Sequence, residues 1–170
     1  MNNSTKLKIM LSFKNRVLLF MCGCFSLSFS QTETLKTYTF ESVDSLIANN
    51  PKPVLVFFHT DWCKYCNLMT QTTFKNEQII KILNQSFYFI SFNPESQKTV
   101  NFAKKEFKFI PKGNRSGIHE IAIELATIEG KVNYPSTCIL NKKYEIVFQY
   151  NQYLSVNDLI KVMNSTLINL

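Results

Sequence analysis

Two cysteines three residues apart, Cys63 and Cys66, are the part of this 170-residue chain best suited to chemistry. A Cys-x-x-Cys pair has three readings: a redox dithiol, half of a zinc site, or a short structural disulfide. A structural zinc site needs four ligands, and a catalytic one needs three plus water. Beyond the N-terminal segment the other soft candidates are Cys138, His59 and His119, with no second Cys-x-x-Cys and no His pair. The ligand count therefore disfavours zinc. A bridge closing so small a loop removes little chain entropy, which weakens the purely structural reading. Redox chemistry is the better default. It needs one accessible, activated thiol and a second close enough to complete the exchange.

The elements around the pair are those that activate a thiol. Pro53-Val54-Leu55-Val56-Phe57-Phe58 is an apolar, β-branched and aromatic run bounded by Pro, as a buried central strand requires. His59-Thr60-Asp61-Trp62 breaks the pattern as a loop, and the spacing of Tyr65, Leu68, Met69 and Thr73 fits a helix. Cys63 then sits at a helix N-terminus, where unpaired backbone N–H groups and the positive end of the dipole favour a thiolate. Lowering a thiol from about 8.5 to about 7 corresponds to about 2 kcal/mol of preference for the anion. Lys64 adds a nearby positive charge.

The string from Val54 through Trp62-Cys63-Lys64-Tyr65-Cys66, with Tyr134-Pro135-Ser136-Thr137 leading into Cys138-Ile139-Leu140, resembles the thioredoxin superfamily. The likeness runs from about Thr39 to the C-terminus as an order of elements. The chain looks closest to exported bacterial thioredoxin-like proteins, and is similar to the periplasmic C-terminal domain of transmembrane disulfide reductases. The resemblance implies an α/β thioredoxin fold: a mixed central sheet flanked by helices, with an insertion before the cis-Pro strand. It implies that Cys63 is the exposed nucleophile forming a mixed disulfide and that Cys66, one turn deeper, resolves it. It also implies that Pro135 follows a cis bond and shapes a groove with Tyr134, and that Trp62 packs beside the thiol. Lys64, Tyr65 and His59 would tune the dithiol. Two departures stand out. Phe57 occupies the position where thioredoxins carry a buried Asp, and Lys64-Tyr65 replaces Gly-Pro.

Elsewhere, Thr37–Phe40 reads as a short edge strand, and Ser42 as the N-cap of a helix ending at Asn49-Asn50-Pro51. Asn76-Glu77 opens a helix through Leu83, Phe87–Phe92 is a strand, and Ser96–Phe107 is helix-like. Phe109–Gly130 is an insertion, with a polar loop over 111–117 and a short helix over Ile118–Leu125; it is expected either to border the groove or to be peripheral. Glu145–Gln149 reads as a strand, and Ser155 caps a last helix. His59 reads as a half-buried packing residue, His119 as a surface residue and Cys138 as a small buried hydrophobe.

Residues 1–30 read as a signal peptide and 31–170 as the thioredoxin-like domain. Lys6, Lys8, Lys14 and Arg16 precede the apolar run Val17–Phe25, and Ser28-Phe29-Ser30 supplies small residues before Gln31. The run is too short for a confident membrane span. Alternatives are an uncleaved anchor or lipidation of Cys24 in a degenerate lipobox. In each case the domain lies outside the cytoplasm, in a periplasmic space where disulfides persist.

That segment carries much of the formal charge of +7; from Gln31 onward 15 basic residues stand against 12 acidic, a net of +3, and they are scattered. A nucleic-acid surface would gather its charge on one face, so no nucleic acid is expected. The expectation is a monomeric thiol–disulfide oxidoreductase of protein-disulfide reductase type. It would act without a cofactor on protein disulfides or dithiols, served by an upstream electron donor or acceptor. The alternatives are a non-catalytic thioredoxin-fold binding module with a structural disulfide, and a metal-binding protein.

Overall fold

The computed structural model describes residues 33–113 and 116–169. The segment assigned to export, 1–30, and the cleavage point with it, lie outside the described residues. The elements in chain order are α1 (Phe40–Asn49), β1 (Val54–Phe58), α2 (Lys64–Gln71), a 3-10 turn (Thr73–Lys75), α3 (Glu77–Ser86), β2 (Tyr88–Phe92), β3 (Val100–Phe102) and β4 (Lys105–Phe107). They continue with β5 (Phe109–Pro111), β6 (Gly117–His119), α4 (Glu120–Ala126), β7 (Thr127–Ile128), β8 (Lys131–Val132), β9 (Ser136–Leu140), β10 (Ile146–Tyr150) and α5 (Val156–Asn169).

The main sheet has the order β10-β9-β1-β2. β1 and β2 run parallel, while β9 is antiparallel to both β1 and β10, which makes the sheet mixed. All five residues of β1 are buried, as its unbroken apolar run requires of a strand covered on both faces. Alternation sorts them. Val54, Val56 and Phe58 join Cys138 and Leu140 in a layer with Phe40 and Val43 of α1 and Ile121, Ala122 and Leu125 of α4. Leu55, Phe57 and Ile139 face the other way, onto Cys66 and Met69 of α2, Ile79 and Leu83 of α3, and Leu159 and Met163 of α5.

This register has a functional consequence. Phe58 lies opposite Phe92 in the parallel pair and opposite Ser136 in the antiparallel one, while Tyr150 lies opposite Thr137. The chain leaving β1, β2 and β10 and the chain entering β9 therefore gather at one edge of the sheet. That edge brings the 59–63 loop, the Asn93-Pro94-Glu95 turn, Tyr134-Pro135 and the 151–154 segment together.

The β1, β2, β9 and β10 expectations hold, as does Asn76 as a cap: its side chain accepts from the amides of Gln78 and Ile79. The Ser155 hydroxyl likewise accepts from the Asp158 amide, at 3.3 Å. Four expectations are corrected. Thr37–Phe40 is not a strand. It makes one sheet-like bond, from the Tyr38 amide to the Phe89 carbonyl, and helix α1 already begins at Phe40. Its N-cap is Thr39 rather than Ser42. The two side chains form a reciprocal capping box, so Ser42 is the third helical residue. The helix expected over Ser96–Phe107 is replaced by a hairpin, β3-β4, over Val100–Phe107. Val100 and Phe102 are buried with Asn101 exposed between them, which is period two. The turn is Ala103-Lys104, both at positive φ (51° and 62°), a geometry that Asn-Gly usually announces. Within the insertion, the expected helix over Ile118–Leu125 is displaced: Ile118 and His119 belong to β6, and α4 starts at Glu120.

What holds the hairpin is supplied by α1. The Asn101 amide donates to Glu41 and the Ala103 amide to Asp44, whose other oxygen accepts from the Tyr144 hydroxyl at 2.9 Å. Replacing Asp44 by Ala strands both donors. We expect a loss of about 1–3 kcal/mol in denaturant unfolding; an unchanged midpoint would show that the carboxylate is idle.

Candidate functional site

Cys63 and Cys66 are joined by a disulfide, their Cα atoms 5.2 Å apart. Cys63 is the N-cap of α2 in extended conformation, and its sulfur accepts from the Cys66 amide at 3.1 Å. The usual capping oxygen of Ser, Thr or Asp is thus replaced by a sulfur. The free amides of the first helical turn then face that sulfur, where they favour negative charge on it. The loop before it is held by the Cys63 amide donating to the Thr60 carbonyl.

Burial separates the two sulfurs less than the sequence reading expects. Cys63 keeps 6% of its surface and Cys66 1%. An openly exposed nucleophile is therefore corrected to a narrowly accessible one in this oxidised state. Aromatic rings crowd the opening. Trp62, 67% exposed, meets Tyr134 edge to face at a centroid distance of 6.3 Å; Tyr65, also exposed, lies 6.4 Å from Tyr153. The Tyr134–Pro135 bond is cis and Pro135 is buried. Burial, and after it the Glu95 carboxylate, pushes the Tyr134 hydroxyl up to about 12.

Lys64 is exposed at the start of α2. His59 is half-buried and stacks on Phe57 at 5.3 Å; desolvation lowers its pKa below the usual imidazole value, against a smaller raising effect of Asp61. All the sequence-predicted residues, Cys63, Cys66, Trp62, Tyr134, Pro135, Lys64, Tyr65 and His59, thus fall on the elements that meet at this edge.

Two residues at the edge escape a linear reading. Glu95 accepts from the Trp62 indole N–H at 3.0 Å, and Tyr153 partners Tyr65. Glu95 follows β2 and Tyr153 follows β10, so only the strand order brings them near the dithiol. The signal was present in the parallel pairing of β1 and β2, which delivers both following loops to one edge.

His119 and Cys138 lie elsewhere. Cys138 is buried in the α1–α4 layer, across the sheet from the dithiol, and its burial pushes the thiol up to about 12. His119 is fully buried rather than at the surface, which corrects the sequence expectation. Its Nδ1 accepts from the Ile121 amide as the cap of α4, so Nε2 carries the proton and donates to the Lys98 carbonyl at 2.9 Å. The insertion reaches the site's neighbourhood through the backbone: the His119 amide donates to the carbonyl of Pro94, next to Glu95.

A thioredoxin-like domain is matched over residues 40–166, and the chain belongs to that family. Among solved structures it is similar to a thioredoxin from Thermus thermophilus (17% identity, 79% of this chain and 88% of that one, TM-score 0.58). It is similar also to a thioredoxin-fold protein from Helicobacter pylori (15%, 81% and 75%, 0.52). A disulphide isomerase from Xylella fastidiosa Temecula1 aligns over 85% of this chain and 99% of that one, at 10% identity and a TM-score of 0.51. At these identities the likeness is one of fold. No curated protein matches significantly.

With a raised pKa, the Cys138 thiol stays protonated in the folded chain where an unfolded thiol ionises. The stability this contributes is intact below the unfolded value and is lost as pH climbs from about 9 toward about 12. A thiol reagent applied to the native, oxidised protein at pH 8 is expected to leave Cys138 unmodified and to label it fully in denaturant. Native labelling at the same rate would contradict the burial.

Proposed function

We propose that the chain is a thiol–disulfide oxidoreductase that reduces disulfides of exported proteins through Cys63 and Cys66. The observation that carries the reading is the Cys66 amide aimed at the Cys63 sulfur from the first turn of α2. It is a ready donor for a thiolate. In the reduced protein the Cys63 thiolate attacks a substrate disulfide. One substrate sulfur leaves as a thiolate and takes a proton from solvent, and a mixed disulfide forms. Cys66 then gives its thiol proton to solvent and, as a thiolate, attacks the Cys63 sulfur. The mixed disulfide breaks, the second substrate sulfur leaves with its electron pair, and the Cys63–Cys66 bridge forms. Two electrons have passed to the substrate, and an external dithiol must return two to the protein.

The aromatic rim of Trp62, Tyr134, Tyr65 and Tyr153 supports a polypeptide substrate laid across the opening, since rings supply apolar area with polar tips. Export to the periplasm, by a cleaved or retained N-terminal segment, is part of the proposal. It rests on the basic, apolar, small-residue order of the first thirty residues.

A second reading has one observation in its favour: Cys63 keeps only 6% of its surface, as a fixed structural bridge would. Insulin reduction driven by a small dithiol separates the two. The exchange reading expects turnover by the wild type, none by Cys63→Ser, and mixed disulfides accumulating on Cys66→Ser. A wild type without turnover and a Cys66→Ser variant that traps nothing would leave the structural bridge.

A further inference from the structure

Among the described residues, the buried side-chain polar atoms without a hydrogen-bond partner are the hydroxyls of Thr60, Ser136 and Thr137. Buried polar groups are nearly always paired, so each exception asks for a reason. All three lie where β1 and β9 meet the dithiol loop. Thr137 differs from Ser136 in its direction. It stands opposite Phe57 on one side and Tyr150 on the other. Paired residues share a face, and Phe57 packs in the layer that contains Cys63, Cys66, Met69 and Ile139. Ser136, one residue earlier and opposite Phe58, points into the other layer. Thr137 is fully buried, so its hydroxyl is held on the dithiol face without solvent.

In the oxidised state that hydroxyl bonds to neither sulfur. A disulfide sulfur carries no charge and accepts hydrogen bonds weakly, whereas a thiolate accepts them strongly. Cys66, 1% exposed in the bridged state, shares its core layer with Leu55, Phe57, Met69 and Ile139, surroundings that penalise a charge on its sulfur once the bridge opens. Its own amide already points at Cys63.

We propose that Thr137 is a positioning residue for the second half of the exchange reaction, its hydroxyl donating a hydrogen bond to the sulfur of reduced Cys66. The inference rests on the oxidoreductase reading above. The hydroxyl keeps its proton throughout. It stabilises the Cys66 thiolate that attacks the Cys63 sulfur of the mixed disulfide, while the electron pair of the broken bond leaves on the substrate sulfur. The titratable groups sharing this layer are His59, stacked on Phe57, with Tyr134, Tyr150 and Tyr153. The charged residues of its helices, Lys64, Glu77, Lys81, Asp158 and Lys161, are exposed.

The test compares Thr137→Val, nearly isosteric, with Thr137→Ser, which restores a hydroxyl. In a Cys63→Ser background the Cys66 thiolate is followed by its ultraviolet absorbance against pH, with Cys138 silent below about 12. The Val variant is expected to ionise about one pH unit higher and the Ser variant to stay near the parent. In the intact dithiol, Val is expected to resolve a mixed disulfide about threefold more slowly, the loss of thiolate being partly offset by its greater nucleophilicity, with the first attack by Cys63 unchanged. A Val titration that superimposes on the parent would overturn the proposal, whatever its effect on stability. Because that titration involves no substrate, it stands apart from the oxidoreductase reading, which fails instead if the wild type does not turn over.

Discussion

The contact between the Cys66 amide and the Cys63 sulfur exists only because the helix starts where it does. Helix α2 starts there because β1 delivers the chain to that point. β1 is buried on both faces, and a shift of one residue would exchange the layers into which its side chains pack. Fully burying a Val, Leu or Phe is worth about 1.5–3 kcal/mol, and β1 offers five such residues. The thiolate preference that a helix terminus helps supply is about 2 kcal/mol. The site's electrostatics are thus a minor term carried by a larger apolar one, which is why a short polar loop is enough to aim the sulfur.

The parts of the fold legible in sequence are those whose pattern is local. β1, β2 and β9 are apolar runs bounded by turn residues, and Asn76 and Ser155 stand at helix starts. The hairpin over 100–107 was not legible in that way. Its turn uses Ala103 and Lys104 at positive φ without Gly or Asn, and its amides are secured by Glu41 and Asp44, some sixty residues earlier. Thr39 and Ser42 each fit an N-cap by type, and only their reciprocal bonds decide between them. His119 was misplaced for a related reason. Its ring is satisfied by two backbone groups, the Ile121 amide and the Lys98 carbonyl, and such satisfaction is what allows a polar side chain to be buried.

The site divides along the same line. The dithiol and the Tyr134-Pro135 pair are contiguous motifs. Glu95 and Tyr153 become part of the edge through the strand order, and their roles are set by orientation. Glu95 fixes the indole of Trp62, an exposed side chain that would otherwise sample several rotamers. The insertion stands behind Glu95 through the Pro94 carbonyl. A segment whose place the linear chain leaves open is thereby joined to the rim of the opening, by the kind of rigid support that binding loops need.

The two sulfurs meet different physics before any substrate arrives. The backbone of α2 serves Cys63: the first-turn amides point outward, and one of them contacts its sulfur. Cys66 lies inside that turn, and its amide is turned toward Cys63. Its neighbours are aromatic and aliphatic, and Phe57 beneath it brings no charge. In the proposed exchange Cys66 must nevertheless carry negative charge for the time needed to attack its partner, and desolvation opposes that charge. A carboxylate at position 57 would take up a proton but repel the thiolate. A hydroxyl one strand away avoids the repulsion, keeps its own proton and offers a donor that the disulfide form does not use. The layer needs a polar atom on the dithiol face and tolerates only one that stays uncharged, and Thr137 satisfies both conditions.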